Sequence, residues 1–213
     1  MNTVAVIDYG MGNLHSVSKA LARVAGDSRV EVTYEPERIL RADRVVLPGV
    51  GAIRDCMAEL TRLGLDEVVR EVAGSKPLLG VCVGMQVLMD FSEENDGTPC
   101  LGILPGRVQR FADGQVDAQS GERLKVPHMG WNQVHQRQKH PLWEDIAQDA
   151  RFYFVHSYCL PDQKLEITAA TTSYGVDFAS AVARDNIFAV QFHPEKSARD
   201  GLQLYANFMR WNA

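Results

Sequence analysis

The sequence has no excess of basic residues. Its 213 residues carry 22 Lys and Arg against 27 Asp and Glu, a formal net charge of −5. That balance excludes the broad basic footprint by which proteins hold nucleic acid. Small anionic substrates stay open, because a local site outweighs net charge. Long apolar runs are lacking as well. The longest uncharged stretch, residues 77–89, is interrupted by Gly80 and Gly84 and falls short of the ~18 residues of a membrane span. The opening Met1-Asn2-Thr3-Val4 has no basic run, and Asp8 breaks the apolar residues behind it, so no secretory leader is expected. Cysteine is scarce: Cys56, Cys82, Cys100 and Cys159 form no Cys-x-x-Cys pair, which gives neither a disulfide framework nor a zinc site. The expectation is a soluble, reduced, cytoplasmic protein that needs no membrane and no metal.

What is present is ordinary globular material. Apolar residues make up 46% and charged residues 23%, close to the globular average. A chain this long buries roughly 70% of its unfolded surface, and residues 1–213 read as a single domain. The first half alternates short apolar runs with helical patterns. Residues 3–7, 30–34, 44–47 and 78–81 read as buried strands. Leu14, Val17, Leu21 and Val24 recur at helical spacing, a helical pattern runs from 53 to 73, and another opens at 85–89. Strands alternating with helices predict a parallel sheet covered on both faces. In the second half the pattern turns to short β-rich segments at 107–111, 131–135, 152–159, 166–172 and 179–182. These predict antiparallel strands extending or flanking the sheet. Residues 187–192 give a last strand, and Leu202, Tyr205, Phe208 and Met209 stripe a closing helix.

Two motifs carry chemistry. Gly80-Val-Cys82-Val-Gly84 falls where a strand ends and a helix begins, the form of a sharp elbow that presents its central side chain as a nucleophile. Glycines on either side relieve crowding in such a turn. The Val83 amide would face the same space and could bind an oxyanion. Read alone, the pentapeptide also fits a small buried cysteine in a glycine turn. Gln191-Phe-His193-Pro-Glu195-Lys-Ser197 follows the last strand. Pro194 stiffens the turn, so His193 can serve as the base a thiol requires and Glu195 as the acceptor that orients it. By itself that segment also fits a solvated loop.

Together the two motifs resemble the class I glutamine amidotransferase family, over essentially the whole chain. Four further stretches are similar to a branch of the family that serves a synthase of histidine biosynthesis: Asp8-Tyr-Gly-Met-Gly-Asn13, Leu47-Pro-Gly-Val-Gly51, Pro127-His-Met-Gly-Trp-Asn132 and Tyr153-Phe-Val-His-Ser-Tyr158. One departure is Val83, where a leucine is more usual; its amide is what matters. The resemblance implies a flavodoxin-like α/β fold: a mostly parallel central sheet flanked by helices, with an added antiparallel β region in the second half. It implies L-glutamine as substrate, no cofactor, and a Cys82-His193-Glu195 triad working through a γ-glutamyl thioester. It further implies oxyanion donors from Val83 and from the Gly49-Val50-Gly51 loop after a peptide rearrangement favoured by a partner. Gln86 is implied as a substrate contact. Asn13, Trp131, Tyr153, His156 and Lys196 are implied as partner-facing or gate positions. The implied partner is a (β/α)8-barrel cyclase subunit, forming a heterodimer that receives the ammonia.

Other signals are set aside. Gly10-Met-Gly12 after a strand has no third glycine at position 15, which is His, so the dinucleotide fingerprint fails. Cys56, Cys100 and Cys159 read as inert small hydrophobes, and Glu93-Glu-Asn-Asp96 reads as a solvated helix end. Three alternatives remain: a glutaminase serving anthranilate, aminodeoxychorismate or pyridoxal phosphate synthesis; a non-catalytic regulatory subunit on the same fold; and an unrelated thiol hydrolase.

Overall fold

A computed structural model describes residues 2–116, 121–162 and 165–213; Met1, where the leader argument begins, lies outside them. The first half contains β1 (Thr3–Ile7), α1 (Leu14–Val24), β2 (Arg29–Thr33), α2 (Pro36–Arg41), β3 (Arg44–Gly49), α3 (Ile53–Arg62), α4 (Leu65–Ala73), β4 (Leu78–Cys82) and α5 (Val83–Gln86). The second half contains β5 (Phe91–Ser92), β6 (Thr98–Pro99), β7 (Arg107–Arg110), β8 (His128–Gln133), β9 (His135–Gln136), β10 (Arg151–His156), β11 (Tyr158–Pro161), β12 (Thr168–Tyr174), β13 (Val176–Arg184), β14 (Ile187–Val190) and α6 (Ala198–Arg210).

The apolar runs become the parallel strands. Every residue of β3, β4 and β14 is buried, as a sheet covered on both faces requires. The order β2-β1-β3-β4-β14 is parallel throughout. From β14 the sheet continues antiparallel through β13 and β11 to β7, while β8 and β10 form a separate two-stranded sheet. The expected antiparallel region is therefore both things at once, an extension and a flanking pair. The helix stripes face this sheet: Val17, Ala20 and Leu21 of α1 and Leu204, Tyr205 and Phe208 of α6 are buried, and the two helices rest on each other.

Several expectations need correction. The helix expected over 53–73 is two, because Gly64 adopts φ +66° between them. The strand expected over 152–159 breaks at Ser157 into β10 and β11, which join different sheets. That expected over 131–135 breaks at Val134. The helix expected over 85–89 is one turn, Val83–Gln86. Its following carbonyls, Val87, Leu88 and Met89, take amides from Leu101, Ile103, Leu104 and Gly102 instead of from a further helical turn. The short α2, with Pro36 in its first turn, had no periodic signal.

The four loops that carry the sequence motifs follow β1, β3, β4 and β14. All four open at the carboxyl ends of neighbouring parallel strands, which is where open α/β sheets place their ligands.

Candidate active site

Cys82 sits at the end of β4 with φ 55° and ψ −113°, a backbone state that costs a non-glycine residue of order 1–3 kcal/mol. The glycines permit the turn by closeness as well as by flexibility. A Cβ on Gly84 would stand 1.9 Å from the Leu47 carbonyl oxygen, and one on Gly80 would stand 2.9 Å from the Gly84 oxygen. The elbow is thus seated against the β3 backbone with no room for a side chain. Val83 opens α5, so its N–H has no helical acceptor. The single turn of α5 leaves little macrodipole to act on Cys82, less than a full helix would supply.

His193 reaches the same place from the end of β14. Its backbone N–H donates to the Tyr153 carbonyl at 2.9 Å, and its carbonyl accepts from Ser197 Oγ at 2.6 Å. Pro194 then begins a short 3-10 turn that brings Glu195 back under the ring. His193 Nδ1 donates to Glu195 Oε1 at 2.9 Å, and the two side chains are 3% and 0% exposed. Tyr205 of α6 donates to Glu195 Oε2 at 3.5 Å. The other ring nitrogen, Nε2, is buried without a hydrogen bond of regular geometry. Burial works against the imidazolium, yet the charges of Cys82 and Glu195 more than offset it and raise His193 to about 10.

The pairing has a testable sign. A histidine raised in the folded state contributes stability fully present below its ordinary value of 6.5 and lost as pH rises through about 10. Removing the Cys82 sulfur removes the foremost opposing charge and leaves burial in place. In Cys82→Ala, His193 is expected to titrate well below its value in the unaltered protein, read from its ring 15N shifts. Equal titration in both would break the link between the two residues.

A cavity of about 340 Å³ opens over Cys82, within the usual size range of small-molecule sites. Val50, Gly51, Val83, Gln86, His193 and Lys196 line it, together with Glu94, Tyr158 and His156. Gln86 is 4% exposed; its Nε2 donates to Gln191 Oε1 at 2.9 Å and to the Tyr158 carbonyl at 3.1 Å. Gln191 Nε2 lies 3.8 Å from Cys82 Sγ. The β3 loop is held at three points. Tyr9 donates to the Pro48 carbonyl at 2.8 Å, Cys56 Sγ lies 3.5 Å from the Val50 carbonyl, and the Val50 N–H donates to the Met11 carbonyl at 3.2 Å. That last bond commits the Val50 amide to the β1 loop. Freeing it requires the peptide between Gly49 and Val50 to turn, while the carbonyls on either side stay pinned.

The remaining positions separate. Trp131 is 44% exposed and meets the Tyr153 ring edge-on at 6.1 Å; Lys196 Nζ lies over the same ring at 5.8 Å. His156 is 6% exposed and belongs to the cavity wall, not to that surface cluster. Asn13 stands at the N-terminus of α1 without a side-chain cap. Burial pushes Cys56 to about 11 and Cys100 and Cys159 to about 12, in keeping with inert thiols.

Two residues that sequence reasoning passed over join the site. Gln191 comes directly after the end of β14 and two residues before His193; carrying the strand's period of two onward would put both on one face. Glu94 was read as solvated, but its carboxylate accepts from the Ile53 N–H at 3.0 Å and the residue lines the cavity. Nothing local in the sequence signals that contact.

A cysteine elbow backed by a buried His-Glu pair, on this sheet, defines a thiol amidotransferase. The chain belongs to the family described as glutamine amidotransferase class-I, whose model matches residues 5–211. More particularly, it is 63% identical over 212 residues to the imidazole glycerol phosphate synthase subunit HisH of Nitrosococcus oceani, covering 100% of this chain and 99% of that one. It is 59% identical to HisH 1 of Pseudomonas aeruginosa, over 100% and 98%. Two solved structures share the fold at lower identity. One described as a glutamine amidotransferase has a TM-score of 0.71, 20% identity and 97% coverage of both chains. The PurLQS structure from Thermotoga maritima has a TM-score of 0.72, 15% identity and 98% coverage of both. Among the described residues no helix is long and apolar enough to cross a membrane.

Proposed function

We propose that the chain, acting as one domain over residues 1–213, is the glutaminase subunit of a cytoplasmic imidazole glycerol phosphate synthase. The observation that carries the chemistry is the buried His193–Glu195 pair, bonded at 2.9 Å, with His193 lining the same cavity as Cys82; against the cost of burial, the neighbouring charges raise its imidazole. Cys82 Sγ attacks the side-chain carbonyl carbon of L-glutamine. The Val83 N–H receives the resulting oxyanion. His193 Nε2 gives its proton to the amide nitrogen, ammonia leaves, and a γ-glutamyl thioester remains. The now neutral imidazole takes a proton from water. The hydroxide attacks the thioester, Cys82 departs as thiolate, and glutamate is released. Glu195 keeps the ring in register throughout.

Gln86 orients the substrate, and Glu94, a carboxylate in the cavity wall, offers a counter-charge to its α-ammonium. A second oxyanion donor comes from the Gly49-Val50-Gly51 loop once its peptide has turned. Asn13, Trp131, Tyr153 and Lys196 face the cyclase subunit, with His156 behind them in the cavity wall. The partner, a (β/α)8 barrel, takes the ammonia and forms imidazole glycerol phosphate and aminoimidazole carboxamide ribotide in L-histidine synthesis. The pathway rests on the full-length 63% identity to HisH.

Glutamate release by the chain alone is expected to be slow, because the Val50 amide is occupied and one oxyanion donor is worth ~10²–10³ in turnover. Adding the cyclase subunit and its nucleotide should raise the rate by about that factor. Release that ignores the cyclase keeps the triad but moves the chain to another ammonia-consuming synthase. No release under either condition removes the glutaminase reading.

A further inference from the structure

Two buried histidines take no part in this chemistry. His128 of β8 and His156 of β10 are 3% and 6% exposed and face each other across the two-stranded sheet. His128 is stacked between the rings of Phe154 and Tyr174, at 4.9 and 3.9 Å, which fixes its plane. Burial keeps both rings neutral, pulling His128 to about 4 and, with His128 adding to it, His156 to about 3.

A neutral imidazole has one donor and one acceptor, so the contacts admit a single assignment. His156 Nδ1 lies 2.8 Å from the Tyr158 carbonyl, which can only accept; Nδ1 therefore carries the hydrogen. His156 Nε2 is then the acceptor, and His128 Nδ1, 2.9 Å away, donates to it. His128 Nε2 accepts in turn from Asn132 Nδ2 at 3.2 Å. The Asn132 amide is itself oriented, because Nδ2 also donates to the Ser173 carbonyl and Oδ1 accepts from the Gln133 N–H. Every hydrogen in the line points toward Tyr158. That carbonyl is the one Gln86 also donates to, and Gln86 leads through Gln191 to Cys82.

We propose that Asn132 and His128 are positioning residues for glutamine binding. Acting through His156, they fix the Tyr158 carbonyl that Gln86 shares, and with it the cavity wall on which the substrate lies. The proposal rests on the glutaminase reading above. Neither residue touches the scissile amide, so their loss weakens ground-state and transition-state binding together and raises KM more than it lowers kcat.

The test has a spectroscopic arm and a kinetic arm. Ring 15N shifts of the unaltered full chain near neutral pH should show both histidines neutral with hydrogen on Nδ1; hydrogen on Nε2 of either overturns the assignment and the proposal with it. This arm needs no enzymatic activity, so it stands apart from the glutaminase reading. In the complex with the cyclase subunit, His128→Leu should raise the KM for glutamine about tenfold, the worth of one hydrogen bond, with kcat changed less than about threefold. His128→Asn places an amide donor where Nδ1 stood and should recover most of that KM. Packing alone predicts the reverse, since leucine fills the site better than asparagine; a better KM for His128→Leu than for His128→Asn overturns the proposal. Asn132→Ala, at the outer end of the line, should raise KM in the same direction, and an unchanged KM there removes Asn132 from it. Absence of glutamate release by the unaltered complex would instead defeat the underlying reading.

Discussion

Replacement of Cys82 by alanine is expected to abolish glutamate release while the fold and the ammonia-driven reaction of the complex survive. The substitution removes only the sulfur of a buried residue, and alanine meets the same unusual backbone angles at no greater cost than cysteine. No other thiol is activated to substitute: burial pushes Cys56 up to about 11 and Cys100 and Cys159 up to about 12. Loss of a nucleophile from a coupled triad costs about 10⁶ in turnover when the rest of the site is intact, so release should fall below detection. Synthesis from added ammonium salt bypasses the thioester and should proceed at its ordinary rate once the cyclase subunit is present. Glutamate release retained by this variant would remove Cys82 from the mechanism. Loss of both reactions would assign the residue to holding the complex together.

The residues of the proposed triad were legible in sequence because their constraints are local. A glycine two positions either side of a cysteine, after a buried strand and before a helical turn, reports an elbow. Pro194 between His193 and Glu195 reports a rigid turn. What remained illegible depends on registers that no window contains. The Gln86–Gln191 bond joins the end of α5 to the residue just after β14, and the His128–His156 pair depends on the β8–β10 register. Glu94 reaches Ile53 across 41 residues. The one-turn α5 has a similar cause. Its apolar continuation, Val87 to Met89, fits a helix equally well, and only the amides of residues 101–104, arriving from a distant loop, decide otherwise. His156 was grouped with Trp131 and Tyr153 by motif. On β10 it alternates with Val155 and lies buried, whereas Tyr153 reaches the surface cluster with Trp131 and Lys196.

The elbow glycine should be the least tolerant position of the site. In Gly84→Ala the added Cβ would meet the Leu47 carbonyl oxygen at 1.9 Å and the Leu47 carbonyl carbon at 2.9 Å. Both belong to the β3 backbone, in a ladder that pairs Leu47 with Gly80 and Gly49 with Cys82. No side chain can rotate away, so the strand or the elbow must move. Overpacking of this kind costs ~1–3 kcal/mol or more, and a displaced nucleophile costs ~10²-fold in rate for an error of about 1 Å. Thermal unfolding and kcat/KM for glutamine in the complex should therefore fall together. Gly74→Ala supplies the contrast: Gly74 has φ −96° at the end of α4, and its added Cβ would find the nearest atom, the Glu71 carbonyl oxygen, at 3.8 Å. It should leave both measurements unchanged. If Gly84→Ala unfolded at the same temperature and turned over glutamine at the same rate as Gly74→Ala, close seating of the elbow on β3 could not be what holds Cys82 in place.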